Sequence, residues 1–190
     1  MKLATEYLSV AKEGEVENGD AAVVRRWDDG ALLAVIDALG HGPAAAAAAA
    51  AATAFLDAVT PEQELREIMD GLHERLRGSR GAAAMVLLFH GHRVHGCGVG
   101  NVELRAYKGR VPAVLSPGVL GASLSRLHVF EARPSSGARI VLFSDGIAAR
   151  FDDDAQKGLP VGETCRVIMD RHRRAHDDAT VLVTDIEVLQ

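Results

Sequence analysis

The stretch Val35-Ile36-Asp37-Ala38-Leu39-Gly40-His41-Gly42-Pro43 closes one buried strand and opens a helix. Before it, Ala31 to Ile36 is an unbroken apolar run of strand length, and it ends in a single carboxylate. A Gly-His-Gly turn follows, then Pro43 and a run of alanines. Strand, acid, glycine turn and helix start together place one charged side chain at a sheet edge.

Working back, Ala21 to Trp27 and Ala31 to Asp37 read as a hairpin around Asp28-Asp29-Gly30, where Asp-Gly is a strong turn signal. Asp20 then begins the first strand and Asp37 ends the second. In an antiparallel pair those two positions lie at the same end. Lys12 to Asp20 is a polar, glycine-punctuated loop ending in Asn18-Gly19-Asp20, and Leu3 to Val10 alternates as an earlier strand.

Working forward, Pro43 suits the first helical turn, where its missing N–H is no loss. Ala44 to Ala52 has the highest helix propensity available, and Phe55, Leu56 and Val59 continue it. An alanine face predicts close packing on a sheet. Thr60-Pro61-Glu62-Gln63 reads as a capping box opening a second helix, with Leu65, Ile68, Met69, Leu72 and Leu76 on one face and Gly78 as its stop. His73 falls outside that stripe and is expected to be exposed.

From Gly81 the pattern turns to strands: Ala83 to His90, Arg93 to Val99, Val102 to Lys108, Leu127 to Ala132 and Arg139 to Phe143. Glu163 to Arg174 returns to helix, and Ala179 to Leu189 is a last strand. This order predicts an α+β domain of antiparallel sheets with helices on their outer faces. With no internal repeat and no linker, residues 1–190 are expected to form a single domain.

The net charge of −5 argues against a nucleic-acid partner. Arg171, Arg173 and Arg174 read as a solvated helix end. Met1 to Val10 lacks the pattern of a signal peptide, and no apolar stretch is long enough to span a bilayer, so no membrane association is expected. Cys97 and Cys165 read as free thiols, and the cytoplasm is the expected compartment.

Arg139-Ile140-Val141-Leu142-Phe143-Ser144-Asp145-Gly146 repeats the design of the opening stretch, and Asp177-Asp178-Ala179-Thr180 precedes another apolar strand. Asp20, Asp37, Asp145 and Asp177 thus all sit at strand ends. Carboxylates that converge repel one another unless cations neutralise them. All-oxygen donors select hard ions such as magnesium or manganese over zinc. Two such ions about 4 Å apart can activate a water and clamp a phosphoryl oxygen. A competing reading takes His90, His92 and His95 with Cys97 as a zinc site. Gly91 between the first two suggests instead a hairpin turn whose histidines need no metal.

Asn18-Gly19-Asp20, Asp37-Ala38-Leu39-Gly40-His41-Gly42, Ser144-Asp145-Gly146 and Asp177-Asp178-Ala179-Thr180 occur in the order seen in metal-dependent protein phosphatases (the PPM family). The chain resembles the bacterial branch typified by the sporulation stage II protein E phosphatase. Within that branch it is most similar to the small stand-alone RsbX-type enzymes of stress-response modules. Leu76-Arg77-Gly78-Ser79-Arg80-Gly81 and Gly98-Val99-Gly100-Asn101-Val102-Glu103 carry the closer likeness.

The resemblance implies a four-layer αββα sandwich of two antiparallel sheets flanked by helices. It implies two manganese or magnesium ions, with Asp37 bridging them and the Ala38 carbonyl on the second. Asp145 and Asp177 would complete the first metal, and Asp20 would serve the second directly or through water, so that Asp37 and Asp20 are the catalytic acids. Asp178 would support rather than ligate. Four departures stand out. Ala38 replaces a glycine common in relatives. Asn101 stands where many carry Asp, which puts a third metal in doubt. No arginine matches the phosphate-binding one of eukaryotic relatives. His41 lies four residues after Asp37 rather than two, so a turn-stabilising role is expected of it, not a general acid's.

The resemblance further implies a phosphoserine/phosphothreonine phosphatase acting on a phosphorylated STAS-domain regulator in a partner-switching or stressosome-like pathway. The alternatives are an inactive phosphatase fold that only binds a regulator, and the zinc module. The oligomeric state is left open.

Overall fold

The computed structural model describes residues 1–151 and 158–188. In chain order these form β1 (Lys2–Val10), β2 (Asp20–Trp27), β3 (Gly30–Ala38), α1 (Pro43–Asp57), α2 (Leu65–Arg75), β4 (Ala82–His90), β5 (Arg93–Val99) and β6 (Glu103–Tyr107). Then come the short β7 (Leu115–Ser116), β8 (Gly118–Val119) and β9 (Ser123–Leu124), followed by β10 (Val129–Ala132), β11 (Ala138–Phe143), α3 (Val161–His172) and β12 (Ala179–Glu187).

Two sheets stack face to face. One runs β10-β5-β4-β3-β2 with β7 beside β5, and the other runs β1-β12-β11-β6. All neighbours are antiparallel except β5 and β7, which pair in parallel. The unbroken apolar run of β3 is explained by burial on both faces. Leu32, Ala34 and Ile36 face α1 and α2, whereas Leu33 and Val35 face the other sheet. There they meet Ile140, Leu142, Leu182 and Ile186 in the central layer. Each fully buried side chain of this size contributes about 1.5–3 kcal/mol by removal from water. Val141, Phe143, Val181 and Val183 point outward onto Cys165, Ile168 and Met169 of α3. The result is the expected α+β sandwich, helix–sheet–sheet–helix.

The alanine face of α1 packs as its composition predicts. Ala45, Ala48, Ala49, Ala52 and Leu56 are buried at helical spacing. The α2 prediction needs correcting at its start. Thr60 N–H donates to Gln63 Oε1 at 2.9 Å, so the apparent capping box closes a separate turn. The helix begins only at Leu65, where Glu67 Oε2 accepts the Glu64 N–H. His73 is half-buried rather than exposed, and its Nδ1 accepts the Gly121 N–H at 3.0 Å. Arg173 is also more than a solvated helix end, since it donates to the Ala11 carbonyl at 2.6 Å and fastens α3 to the loop after β1. The β7 to β9 segment went unpredicted because its strands are only two residues long. Leu189, assigned from sequence to the last strand, lies outside the described residues.

Candidate functional site

Hairpin β2–β3 turns through Asp28-Asp29, with Trp27 opposite Gly30. Counting back along that register makes Asp20 and Asp37 direct cross-strand partners. From the second sheet, β11 ends at Phe143, so Ser144 and Asp145 follow immediately, while Asp177 and Asp178 precede β12. Hydrogen bonds between Ser144 and Thr180 hold those two strand ends together, Ser144 N–H to Thr180 carbonyl at 3.0 Å and Thr180 N–H to Ser144 Oγ at 2.9 Å.

The sheets are joined here by polar groups. Ser144 Oγ donates to Asp20 Oδ2 at 2.5 Å, with both residues buried. Asp178, also buried, accepts the Lys12 N–H on Oδ1 at 2.7 Å and the Gly19 N–H on Oδ2 at 2.8 Å. Its two oxygens are therefore occupied by backbone of the loop that carries Asp20. Gly146 must be glycine because a Cβ there would sit 1.8 Å from the Asp178 carbonyl oxygen.

Burial pushes the Asp20 carboxyl up to about 7, against hydrogen bonds from Ser144 and Thr180 that favour the charged form, with the charges of Asp178 and Asp145 adding to the rise. Asp37 rises to about 8. Burial is the main cause, followed by the charges of Asp20, Asp145 and Asp177, then by a side-chain contact with Asp145 that favours the protonated form. The other three sequence-predicted acids, Asp20, Asp145 and Asp177, therefore lie within electrostatic reach of Asp37. Burial and neighbouring carboxylates both favour the protonated form of such a cluster.

The donor set suits a hard divalent ion. Among the described residues, Asp37 Oδ2 is buried without a hydrogen-bond partner, an arrangement that costs about 1–3 kcal/mol and that a cation would relieve. Asp145 Oδ2 accepts from Asn101 Nδ2 at 2.6 Å, so the amide stands where a further acid would repel. Among the described residues no three acidic, histidine or cysteine side chains already surround a common metal position. The aspartates are instead engaged with one another, Ser144 and Asn101. Ala38 has no positive φ, so alanine is unstrained there, and its N–H donates to the Gly19 carbonyl at 3.0 Å.

His41 is held in a side-chain chain that sequence reasoning missed. Its Nδ1 lies 3.1 Å from Glu15 Oε1, and its Nε2 lies 3.0 Å from Lys12 Nζ. A lysine ammonium can only donate, so Nε2 accepts and Nδ1 carries the proton toward Glu15. The histidines of the zinc reading are dispersed. His90 faces Asp29 at 3.6 Å and His95 faces Glu131 at 3.5 Å. Cys97 is buried, and burial pushes its thiol up to about 11, which disfavours a metal-binding thiolate.

Known proteins share this chain's family pattern and fold. The profile of the stage II sporulation protein E (SpoIIE) family matches residues 28–187. A structure reported with the bacterial stressosome, described as a modular system adapted to control secondary messenger signalling, is 31% identical. The match covers 97% of this chain and 100% of that one, with a TM-score of 0.89. RsbX in complex with magnesium is 21% identical over 96% of this chain and 94% of that one, with a TM-score of 0.84. The catalytic domain of the serine/threonine phosphatase PstP, with two manganese ions, is 18% identical over 97% and 98%, with a TM-score of 0.77. No protein of curated function matches the chain.

Proposed function

Because this chain belongs to the stage II sporulation protein E family of PPM-type phosphatases, we propose that it is a manganese- or magnesium-dependent protein serine/threonine phosphatase. Residues 1–190 would act as one catalytic domain in the cytoplasm. The observation that carries the reading is the convergence of Asp20, Asp37, Asp145 and Asp177 on one sandwich end, with the buried Asp37 Oδ2 lacking any partner among the described residues. Among those residues no helix is long and apolar enough to cross a membrane.

Asp37 would hold both ions, Ala38 would offer its carbonyl, and Asp20, Asp145 and Asp177 would complete the set. Two ions so held supply Lewis-acid polarisation of a phosphoryl oxygen and a nucleophile from water at neutral pH. The chain's own groups do the positioning. Asp178 fixes the loop before Asp20 through the Lys12 and Gly19 N–H groups, and Ser144 fixes the Asp20 carboxylate. Asn101 orients Asp145. Among the described residues the Ser144 hydroxyl is engaged with Asp20 and the Thr180 N–H, so the reading has water attack phosphorus and phosphate leave without a covalent enzyme intermediate.

The 31% identical neighbour reported with the stressosome and the RsbX fold likeness support a phosphorylated STAS-domain regulator as substrate, in a partner-switching or stressosome-like pathway. Hydrolysis of p-nitrophenyl phosphate tests the chemistry. Activity should vanish on chelation and return with manganese. Full activity in excess EDTA would overturn the two-metal reading.

A further inference from the structure

Arg80 lies in Ser79-Arg80-Gly81, immediately before β4, and belongs to no element that the site has used so far. Its turn is fastened on both sides. Ser79 Oγ donates to the Leu76 carbonyl at 2.6 Å and accepts the Gly81 N–H at 3.0 Å. The Gly81 carbonyl accepts the Leu39 N–H at 3.0 Å, tying this turn to the loop that follows Asp37 and Ala38. As a consequence the guanidinium lies directly over Gly40. A Cβ on Gly40 would stand 2.6 Å from Arg80 Nη1, and φ of +83° at Gly40 independently favours glycine. Glycine at position 40 therefore leaves room for the guanidinium three residues beyond Asp37.

Arg80 is exposed, and among the described residues no carboxylate or carbonyl engages it. Lys12, by contrast, is committed to His41. An arginine held against the loop that follows Asp37 and left without an acceptor is free to meet an incoming anion. Its planar fork matches two oxygens of a phosphate, whereas the cluster below it accepts only cations.

We propose that Arg80 is a substrate-binding residue that receives the non-bridging oxygens of the phosphoryl group. This rests on the phosphatase reading and deepens it. Arg80 would hold the phosphate dianion at the rim and orient it over the aspartates, which alone would repel it.

The test is calorimetric titration of inorganic phosphate into the manganese-loaded protein, for wild type, Arg80→Ala, Arg80→Lys and the control Arg77→Ala. Arg77 is paired with Glu74 at 2.9 Å on the exposed end of α2. Arg80→Ala should weaken phosphate binding roughly tenfold to a hundredfold, as for loss of charged hydrogen bonds. It should raise KM for p-nitrophenyl phosphate and leave manganese affinity unchanged. Arg80→Lys should recover part of the loss, because a point charge replaces the fork, and Arg77→Ala should match wild type. Phosphate affinity within twofold of wild type in a folded Arg80→Ala protein would overturn the assignment. So would a defect confined to the phosphoprotein substrate, which would make Arg80 a reader of the protein rather than of phosphate. A wild type that binds manganese but no phosphate overturns this proposal alone. One that binds no manganese overturns the phosphatase reading and this proposal with it.

Discussion

Asp20 and Asp37 face each other as cross-strand partners at the end of one hairpin, and both carboxyls are pushed up, first by burial and then by neighbouring carboxylates, Asp20 among those acting on Asp37. Like charges directly opposite on a sheet are destabilising. The pair is tolerable where it holds protons, and under the proposed function divalent cations would replace them.

A pH dependence of stability follows from that pairing. The ordinary value of both groups is 3.8, and the folded values are about 7 and about 8. The native state therefore binds more protons than the unfolded one across this window, and stability falls as pH rises through it. The Tm of metal-free protein should drop by at least about 3 °C between pH 6 and pH 8.5. Manganese should raise Tm more at pH 8.5 than at pH 6. A Tm that rises with pH across this window in EDTA would contradict the raised values.

Asp37→Ala should leave no detectable activity and weaken binding at both metal positions, since this residue alone is assigned to both ions. Asp145→Asn or Asp177→Asn removes one ligand charge with shape retained, and turnover should fall roughly a hundredfold or more. The fold should survive in each, because repulsion around Asp37 is relieved. Near-normal turnover of any of these variants at saturating manganese would remove that residue from the ligand set.

Ser144→Ala probes the seam between the sheets. The change deletes the donor to Asp20 and leaves the buried Thr180 N–H without the hydroxyl it uses. A loss of about 1–3 kcal/mol is expected for stranding a buried polar group. Chemical denaturation measures it, and a loss below about 0.5 kcal/mol would mean that the seam is held by packing alone.

His41→Ala should cost less than about tenfold in turnover, below what a general acid contributes. The Nε2 lone pair is taken by Lys12, so His41 braces the loop between Glu15 and the Gly40–Gly42 turn. The pH–rate profile decides. Loss of one limb of that profile on mutation would make His41 an acid after all.

Much of this site was legible in the sequence because it depends on local counting. An Asp-Gly hairpin sets the register, and the register alone sets Asp20 against Asp37. The apolar runs of β3, β11 and β12 likewise announced strands, and burial on both faces explains them. What escaped was non-local. The Ser144–Asp20 bond, the Asp178 clamp on Gly19, the Lys12–His41–Glu15 chain and the placement of Arg80 over Gly40 all join segments distant in sequence, with no periodicity to mark them. The α2 start was misplaced for the opposite reason. Thr60 and Gln63 satisfy each other locally, whereas the true start uses Glu64, a residue outside the usual capping set.

The most direct test of the central claim is release of inorganic phosphate from a phosphoserine- or phosphothreonine-bearing STAS-domain protein, followed in EDTA and then at saturating manganese. The proposed function predicts no release in EDTA, full release on adding manganese, and none at any manganese concentration for Asp37→Ala. Release that persists in EDTA, or that survives the loss of Asp37, would contradict a reaction built on the aspartate cluster.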